Sequence, residues 1–483
     1  MHRTRYRKDR RSVLEKKSKK NKLSMPSSKS RSERTSADSV KKKKSVDTSK
    51  LAIEFSKFYE GKMQTVPKVP VTDLSDFAIW YTPGVAAVSL AVAKEPDLSF
   101  EYTNRWNTLC ILTDGSRVLG LGDIGPEGSL PVMEGKALIY KYLGGVDAIP
   151  IPINAHDPEK FIEFAHYIQP AFGAIHLEDI SSPKCFQILD SLRETLTVPV
   201  WHDDQQGTAG VTLAALLNSL ELTRRDLKDS KIVLLGAGAA NIAGARLMIS
   251  AGLPPGQIVL VDSKGILNSE REDMDKMMLQ NKWKYELALK TNGDKLKGDL
   301  DVAAKGADAI IAASKPGPDV IQSSTLKLMN KNSILFALSN PVPEIWPSVA
   351  KAAGVKIVAT GRSDFPNQVN NSVIFPSIMR GVLDVRSKAV PDDVIIVAAK
   401  ELANYSKTHG TLSVEHIIPT MMDWEIYPLV ASAVGEKCVE LGIARKNLKR
   451  SEIYDRSSKV IRLAQKTITS LQKSKIIAPM PEY

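Results

Sequence analysis

Residues 201–244 read WHDDQQGTAGVTLAALLNSLELTRRDLKDSKIVLLGAGAANIAG, and this stretch decides the fold. It opens on two adjacent carboxylates, Asp203 and Asp204, followed by Gln205-Gln206-Gly207-Thr208. It closes on an apolar strand, Lys231 to Leu235, that runs into Gly236-Ala237-Gly238-Ala239-Ala240-Asn241. The segment between, roughly Gly210 to Thr223, reads as an amphipathic helix spanning about 20–25 Å at 1.5 Å per residue. A strand of Ile, Val and Leu that ends in Gly-x-Gly and opens a helix is how a backbone approaches a pyrophosphate. Glycine removes the Cβ, and the helix N-terminus offers unpaired N–H groups and a positive dipole end. Asn241 stands where the usual fingerprint has its third glycine. Asp262 closes the next strand 24 residues after Gly238, the spacing of an acid that meets a ribose. A flavodoxin-like turn without a dinucleotide is the alternative reading of the same residues.

Upstream, strands and helices alternate: strand 109–113, helix 132–143, strand 147–153, helix 158–167, strand 173–177, helix 183–193, strand 197–201. That alternation predicts a parallel sheet with crossover helices. Between the first strand and helix lie five glycines within Asp114–Gly128, which predict turns. Downstream, strands near 257–261, 308–312, 333–337 and 356–360 extend the second sheet, and helices follow near 392–405, 424–441 and 455–473.

The acids form a second pattern. Glu178-Asp179 ends one strand and Asp203-Asp204 the next, and ligands collect at the carboxyl ends of parallel strands. Carboxylates so gathered repel unless a cation or protons lie between them. A hard oxygen set of this kind suits Mg²⁺ or Mn²⁺ rather than zinc. Helix capping by Asp179 and Asp204 is the alternative. Lys136 is expected early in its helix, where the positive helix end and nearby glycine turns would lower its pKa toward that of a general base; a surface lysine is the plain alternative. Tyr81 alone reads equally as an ordinary surface or core tyrosine. His176 and His202 flank the acids and read as structural. Asn340, Asn370 and Asn371 cap strand ends and turns, or hydrogen-bond a carboxylate substrate.

Composition limits the rest. At 483 residues, with 43% apolar and 25% charged, two globular domains are the natural expectation. Residues 1–50 hold 19 Lys and Arg against five Asp and Glu, so the formal charge of +12 sits in that segment. It reads as a disordered basic tail, with Met25 available as another start; nucleic-acid contact through it is possible but not expected. The stretch lacks the apolar segment of a secretory signal. No run of 18 consecutive apolar residues exists, so no membrane span is expected. Three scattered cysteines argue against a disulfide framework and for a reducing, cytoplasmic setting.

Taken together, the motifs YTPGVA at 81–86, LTDGSRVLGLGDIG at 112–125, EGKA at 134–137, HLEDI at 176–180, HDDQQGTA at 202–209, LLGAGAA at 234–240, LSNP at 338–341 and NQVNN at 367–371 resemble the malic enzymes, in their short prokaryotic form. The resemblance runs from about Leu51 to about Leu441. It implies an α/β protein of two domains, an N-terminal catalytic domain at 51–205 binding malate and metal and a Rossmann-like NAD(P)-binding domain at 206–445. The basic tail precedes them at 1–50, and a C-terminal helical extension follows at 446–483.

The resemblance further implies oxidative decarboxylation of (S)-malate to pyruvate and CO₂ with reduction of NAD or NADP, Asp262 leaning slightly to NAD and Lys264 standing near as a counter-charge. In that family frame Lys136 is similar to the general base at the C2 hydroxyl, and Tyr81 to the acid that protonates C3. Glu178, Asp179 and Asp204 look like ligands of Mg²⁺ or Mn²⁺, with Asp203 behind them near Lys136. Arg117, Lys136, Asn340, Asn370 and Asn371 resemble the substrate contacts. Gly236, Ala237, Gly238, Ala239, Ala240, Asn241, Asp262 and Asn340 resemble the cofactor contacts. A homodimer or higher homo-oligomer is implied. Redox-neutral malolactic or oxaloacetate-decarboxylating chemistry is the rival within enzymology. A nucleic-acid-binding protein on a degenerate enzyme core is the rival of another class.

Overall fold

The structure, a computed structural model, describes residues 48–482. Nearly all of the expected basic tail lies outside the described residues. Its last residues, 48–50, belong to the helix Thr48–Tyr59, so helical chain begins ahead of Leu51.

The first sheet holds β1 (Thr108–Thr113), β2 (Asp147–Pro152), β3 (Ala174–Leu177) and β4 (Val200–His202) in the order β2-β1-β3-β4. Every pairing in it is parallel. Parallel neighbours require long crossovers, supplied by the helices Gly125–Ile139, Pro158–Ile168 and Lys184–Thr195. Helices over the sheet explain why β1 and β3 are buried along almost their whole length. From β1 the chain moves to β2 on one side and returns to β3 on the other. The carboxyl end of β1 is therefore a topological switch point, and the glycine-rich loop starts there.

The second sheet holds β5 (Ile232–Leu235), β6 (Ile258–Asp262), β7 (Gly265–Ile266), β8 (Ala309–Ala312), β9 (Ile334–Ala337) and β10 (Ile357–Thr360) in the order β10-β9-β8-β5-β6-β7. It is parallel except for β7. Successive side chains of β5 go to opposite faces: Ile232 and Leu234 join one apolar core, Val233 and Leu235 another. β5 lies between β6 and β8, so the same reversal recurs at its carboxyl end, where Gly236 begins the second glycine turn.

The helix Thr208–Leu222 joins the two sheets. It is not amphipathic as expected: residues from Ala209 to Leu216 are buried, as are Asn218, Ser219 and Leu220. Asn218 is satisfied inside by donating to the carbonyls of Ala403 (2.9 Å) and Ile417 (2.7 Å). The late helices run Asp392–Thr408, Ile426–Glu440 and Arg450–Lys473. A further helix, Phe375–Asp384, was not expected. Its charges Arg380 and Asp384 conceal it in the sequence; they are buried four residues apart and pair through bonds of 3.1 and 2.9 Å.

Leu74–Lys94 is apolar on average without being a continuous apolar run, since Asp76, Thr82, Pro83 and Ser89 interrupt it. Its 21 residues reach a mean hydropathy of 1.3, and none of that window is buried. The chain is broken there at Tyr81, between the short helix Phe77–Trp80 and the helix Val85–Lys94.

Candidate active site

The site is built at the carboxyl ends of β1, β3 and β4. β3 delivers Glu178 and Asp179, and β4 delivers Asp203 and Asp204 into one wide helical turn, Asp203–Gly207. Oxygens of Glu178, Asp179 and Asp204 lie within 4.8 Å of one another. Asp179 has a left-handed backbone, φ +54°, which aims its side chain away from the strand line. Its N–H donates to Asp204 Oδ2 (2.9 Å) and its Oδ1 accepts from Leu119 N–H (3.3 Å). Its Oδ2 is buried without a hydrogen-bond partner.

Burial, then repulsion from Asp204 and Glu178, pushes the Asp179 carboxyl up to about 9. Burial and Glu178 push Asp204 up to about 8. An orphaned oxygen among three mutually repelling carboxylates fits a hard divalent cation, which would satisfy both conditions at once.

Lys136 faces this cluster. Its ammonium is hydrogen-bonded to Asp203 Oδ2 and lies 3.2 Å from Glu178 Oε1. It also lies 4.7 Å from the ring centre of Phe375, on the unexpected helix. Two expectations about Lys136 are corrected here. The helix runs Gly125–Ile139, starting on Gly125-Pro126, so Lys136 occupies its last turn and not its first. The glycine density disguised that start, since proline at the opening of a helix is favourable. The Lys136 pKa is raised, not lowered: burial alone would depress it, but Asp203, Glu178 and Asp204 together outweigh burial.

Of the two flanking histidines only His176 is hydrogen-bonded to an acid; both ring nitrogens of His202 are buried without a hydrogen-bond partner among the described residues. His176 Nε2 is 2.6 Å from Glu178 Oε2, and its Nδ1 is 2.7 Å from the Tyr140 hydroxyl. Burial pushes its pKa down to about 3, so it is neutral. With Glu178 ionised, Nε2–H donates to the carboxylate and Nδ1 accepts from Tyr140. Trp201 Nε1 donates to Asp203 Oδ1 (3.2 Å).

The β1 loop is braced on the same acids. Arg117 N–H donates to the Asp179 carbonyl (3.0 Å), while its side chain is exposed and makes no hydrogen bond or ion pair among the described residues. Lys184 pairs with Asp114, whose other oxygen accepts from Ser116 Oγ (2.6 Å).

Two of the asparagines come near. A Cβ on Gly207 would lie 2.0 Å from Asp203 Oδ1 and 3.3 Å from Asn371 Cβ, which locates Asn371 beside the acids. Asn340 is exposed after β9, and its carbonyl oxygen would lie 2.6 Å from a Cβ on Gly120, so the β1 loop and the second sheet meet there. Asn370 spends its side-chain oxygen on a turn, accepting from Ser372 N–H (3.0 Å). Tyr81 is not brought to the acids by any hydrogen bond; its side chain is 69% exposed.

At β5, Gly236 has φ +98°, and a Cβ there would sit 2.4 Å from the Ala313 carbonyl oxygen, so a side chain is excluded. Gly238 faces open space, room a pyrophosphate would fill, with the helix Ala239–Ser250 opening behind it. The Asn241 side chain turns inward, donating to the carbonyls of Leu235 (2.8 Å) and Gly236 (2.9 Å), so it fastens the turn to the strand. Asp262 at the end of β6 accepts from Arg271 Nη1 (3.0 Å), from Lys284 Nζ and from Lys264 N–H (2.8 Å). The expected counter-charge, Lys264, sends its ammonium to Asp273 instead (2.7 Å). Arg271 and Lys284 take that place, and neither carries a sequence signal, because both arrive from outside the strand-turn-helix unit.

Comparison with known proteins shows which family shares this plan. The family model for the malic enzyme N-terminal domain matches residues 60–193, and that for the malic enzyme NAD binding domain matches residues 205–439. The chain belongs to the malic enzyme family. It is 43% identical over 387 residues to the NAD-dependent malic enzyme of Geobacillus stearothermophilus, covering 80% of this chain and 78% of the relative. It is 40% identical over 409 residues to the bifunctional malic/malolactic enzyme of Bacillus subtilis, covering 85% and 97%. Among solved structures, the malic enzyme of Entamoeba histolytica superposes with a TM-score of 0.87 at 44% identity, covering 90% of each chain. The family carries a Rossmann-like domain for a nicotinamide dinucleotide, so the expected fold class and cofactor class hold for this malic enzyme.

Proposed function

We propose that this chain oxidises and decarboxylates (S)-malate to pyruvate and CO₂ while reducing NAD or NADP. The observation that carries the reading is the largely enclosed lysine set against a carboxylate cluster with an orphaned oxygen, at the switch point of one sheet. The glycine turn of the other sheet belongs to the same reading.

Glu178, Asp179 and Asp204 would hold Mg²⁺ or Mn²⁺. When bound, such an ion supplies positive charge that polarises the substrate oxygens, stabilises the enolate left by CO₂ loss and opposes the ammonium form of Lys136. Lys136, as the free amine, takes the proton of the C2 hydroxyl and can hand it to Asp203, its hydrogen-bond partner. Arg117, with its guanidinium uncommitted, binds a malate carboxylate through paired N–H groups. Asn371, Asn370 and Asn340 donate to the same acid. Tyr81 returns a proton to C3 of the enolpyruvate. Gly236 to Ala240 lie along the pyrophosphate, and Asn241 keeps their turn in shape.

Asp262, already bonded to Arg271 and Lys284, presents no unopposed negative charge to a 2′-phosphate, which supports use of both nucleotides. Residues 51–205 and 206–445 serve as the malate/metal and nucleotide domains, with 446–483 an added helical segment. The active form is a homo-oligomer, a dimer at least. Three buried free cysteines suit a reducing cytoplasmic setting.

The test is an assay with (S)-malate, Mn²⁺ and NAD or NADP. Pyruvate and reduced nucleotide should appear in equal amounts. Lactate without net reduction would favour the malolactic reading, which the Bacillus subtilis relative's printed activity makes the natural second choice. Absence of turnover with either nucleotide would overturn both.

A further inference from the structure

Glu344 is an acid that the proposed chemistry does not use. It is fully buried in the stretch that follows β9 and, among the described residues, forms no ion pair. Taking a carboxylate out of water is costly unless hydrogen bonds replace the water. Four do so here. Its Oε1 accepts from Ser314 N–H (3.0 Å), Ser314 Oγ (3.3 Å) and Ser339 Oγ (2.5 Å), and its Oε2 accepts from Ser339 N–H (3.1 Å).

All four donors stand just past the carboxyl ends of two neighbouring strands, Ser314 after β8 and Ser339 after β9. The Leu338 N–H still bonds the Ala312 carbonyl (2.9 Å), but beyond it the strands part and Glu344 takes the place of the ladder. The Glu344 carbonyl adds a further tie by accepting from Ile321 N–H (3.1 Å). The loop 314–321 is therefore fastened at both ends by one residue.

That loop borders both glycine turns. A Cβ on Gly236 would lie 3.0 Å from Ser314 Cα, and a Cβ on Gly120 would lie 3.4 Å from Pro316 Cγ. The crevice of a parallel sheet opens at its switch point, here between β5 and β8, so the loop after β8 forms one wall of the nucleotide's place. Ser339, the other tied residue, leads directly into Asn340.

We propose that Glu344 is a positioning residue for the nucleotide: it holds the loop after β8 and the Ser339-Asn340 step at the spacing the dinucleotide requires, without touching the reacting atoms. The inference deepens the reading of the site given above and rests on it. A side chain kept for packing alone would be apolar, since an apolar group fills the same space without desolvating a charge. Only an acceptor with two oxygens can gather N–H groups from both strand ends at once. A wall ordered in advance leaves less ordering for binding to bring about, and affinity gains by the difference.

Glu344→Gln is the test. The amide keeps the size of the side chain, but its NH₂ accepts no hydrogen bond, so one strand-end N–H loses its acceptor. Fluorescence titration with NADH, and with NADPH in parallel, should show affinity about tenfold weaker than in the wild type, the equivalent of one hydrogen bond to a charged group. Mn²⁺ affinity, read by calorimetry, should be unchanged, because Glu178, Asp179 and Asp204 belong to the other sheet. Wild-type affinity for the reduced nucleotides would overturn the proposal. So would parallel losses of nucleotide and Mn²⁺ binding, the mark of a general loosening.

If Glu344→Gln does not fold, Ser339→Ala answers instead. It removes one hydroxyl bond and leaves the backbone N–H, so nucleotide binding should weaken by a smaller factor with Mn²⁺ binding intact; unchanged nucleotide binding would again overturn the proposal. A wild-type chain that binds NADH yet leaves (S)-malate unconsumed fails the reading of the reaction, and the affinity ratio still decides the role of Glu344. A wild-type chain that binds neither NADH nor NADPH overturns both.

Discussion

The acids behind β3 and β4 and the acid behind β6 occupy equivalent places in two parallel sheets, yet their charge is answered in opposite ways. In the first cluster Glu178 and Asp203 meet the Lys136 ammonium, and Asp179 and Asp204 are pushed up to about 9 and about 8 by burial and then by neighbouring carboxylates. At the second, burial would raise Asp262, but hydrogen bonds from Lys284, the Lys264 backbone and Arg271 prevail and hold it below the usual carboxylate range. One site is left short of positive charge, which on the proposed reading a cation supplies. The other is neutralised in advance, which on the proposed reading leaves room for a nucleotide of either charge. The lesson is that the position of a carboxylate at a strand end does not set its role; the count of cations brought to it does.

The comparison breaks most visibly at Lys136. Lys136→Ala removes the cation facing the first cluster and the proposed base together, and should lower kcat by about 10²- to 10⁴-fold. Steady-state kinetics at saturating malate and Mn²⁺ measure this; near-normal turnover would detach Lys136 from the chemistry.

His176→Ala takes away the N–H that orients Glu178 and should weaken Mn²⁺ binding by about 10- to 100-fold. Titration of the metal-free protein with Mn²⁺ followed by calorimetry reads it, and an unchanged affinity would make His176 mere packing.

At the second acid, Arg271→Ala withdraws one charged hydrogen bond from Asp262, which is worth about 1.5 kcal/mol or more. The exposed negative charge should reduce kcat/KM for NADP relative to NAD by about tenfold. An unmoved ratio would mean that Asp262 does not face the ribose.

The smallest effect is one of pH. Asp179 and Asp204 have folded pKa values above those of the unfolded chain. The metal-free fold therefore loses stability as pH rises from about 4 toward about 9, while protons are being shed. A divalent cation relieves that loss. The rise in Tm produced by Mn²⁺ should be greater at pH 8.5 than at pH 6 by about a few degrees. An equal rise at both would mean that these two acids are not its ligands.

Much of this was readable in the sequence because it rests on local patterns. Runs such as Leu109–Thr113 and Lys231–Leu235 announce strands, and glycine after a strand announces a phosphate turn. Both sheets follow from them. What escaped depended on partners far along the chain. The helix Phe375–Asp384 hid because Arg380 and Asp384 neutralise one another inside the protein, a fact no local pattern carries. Lys136 was placed at the wrong end of its helix because Gly125 and Gly128 looked like turn residues, although Pro126 is well suited to a helix start. Its charge state is hidden for a different reason: three carboxylates from two other strands set it. Arg271 and Lys284 are invisible for Asp262 until the chain is folded.

The helix Thr208–Leu222 carries one last consequence. It begins beside the acid cluster and ends just before β5, and apolar neighbours enclose nearly its whole circumference. A linker wetted on one side would let the two halves melt separately. Here neither half can come apart without stripping the enclosed helix of its cover, so heat should denature both in a single cooperative step.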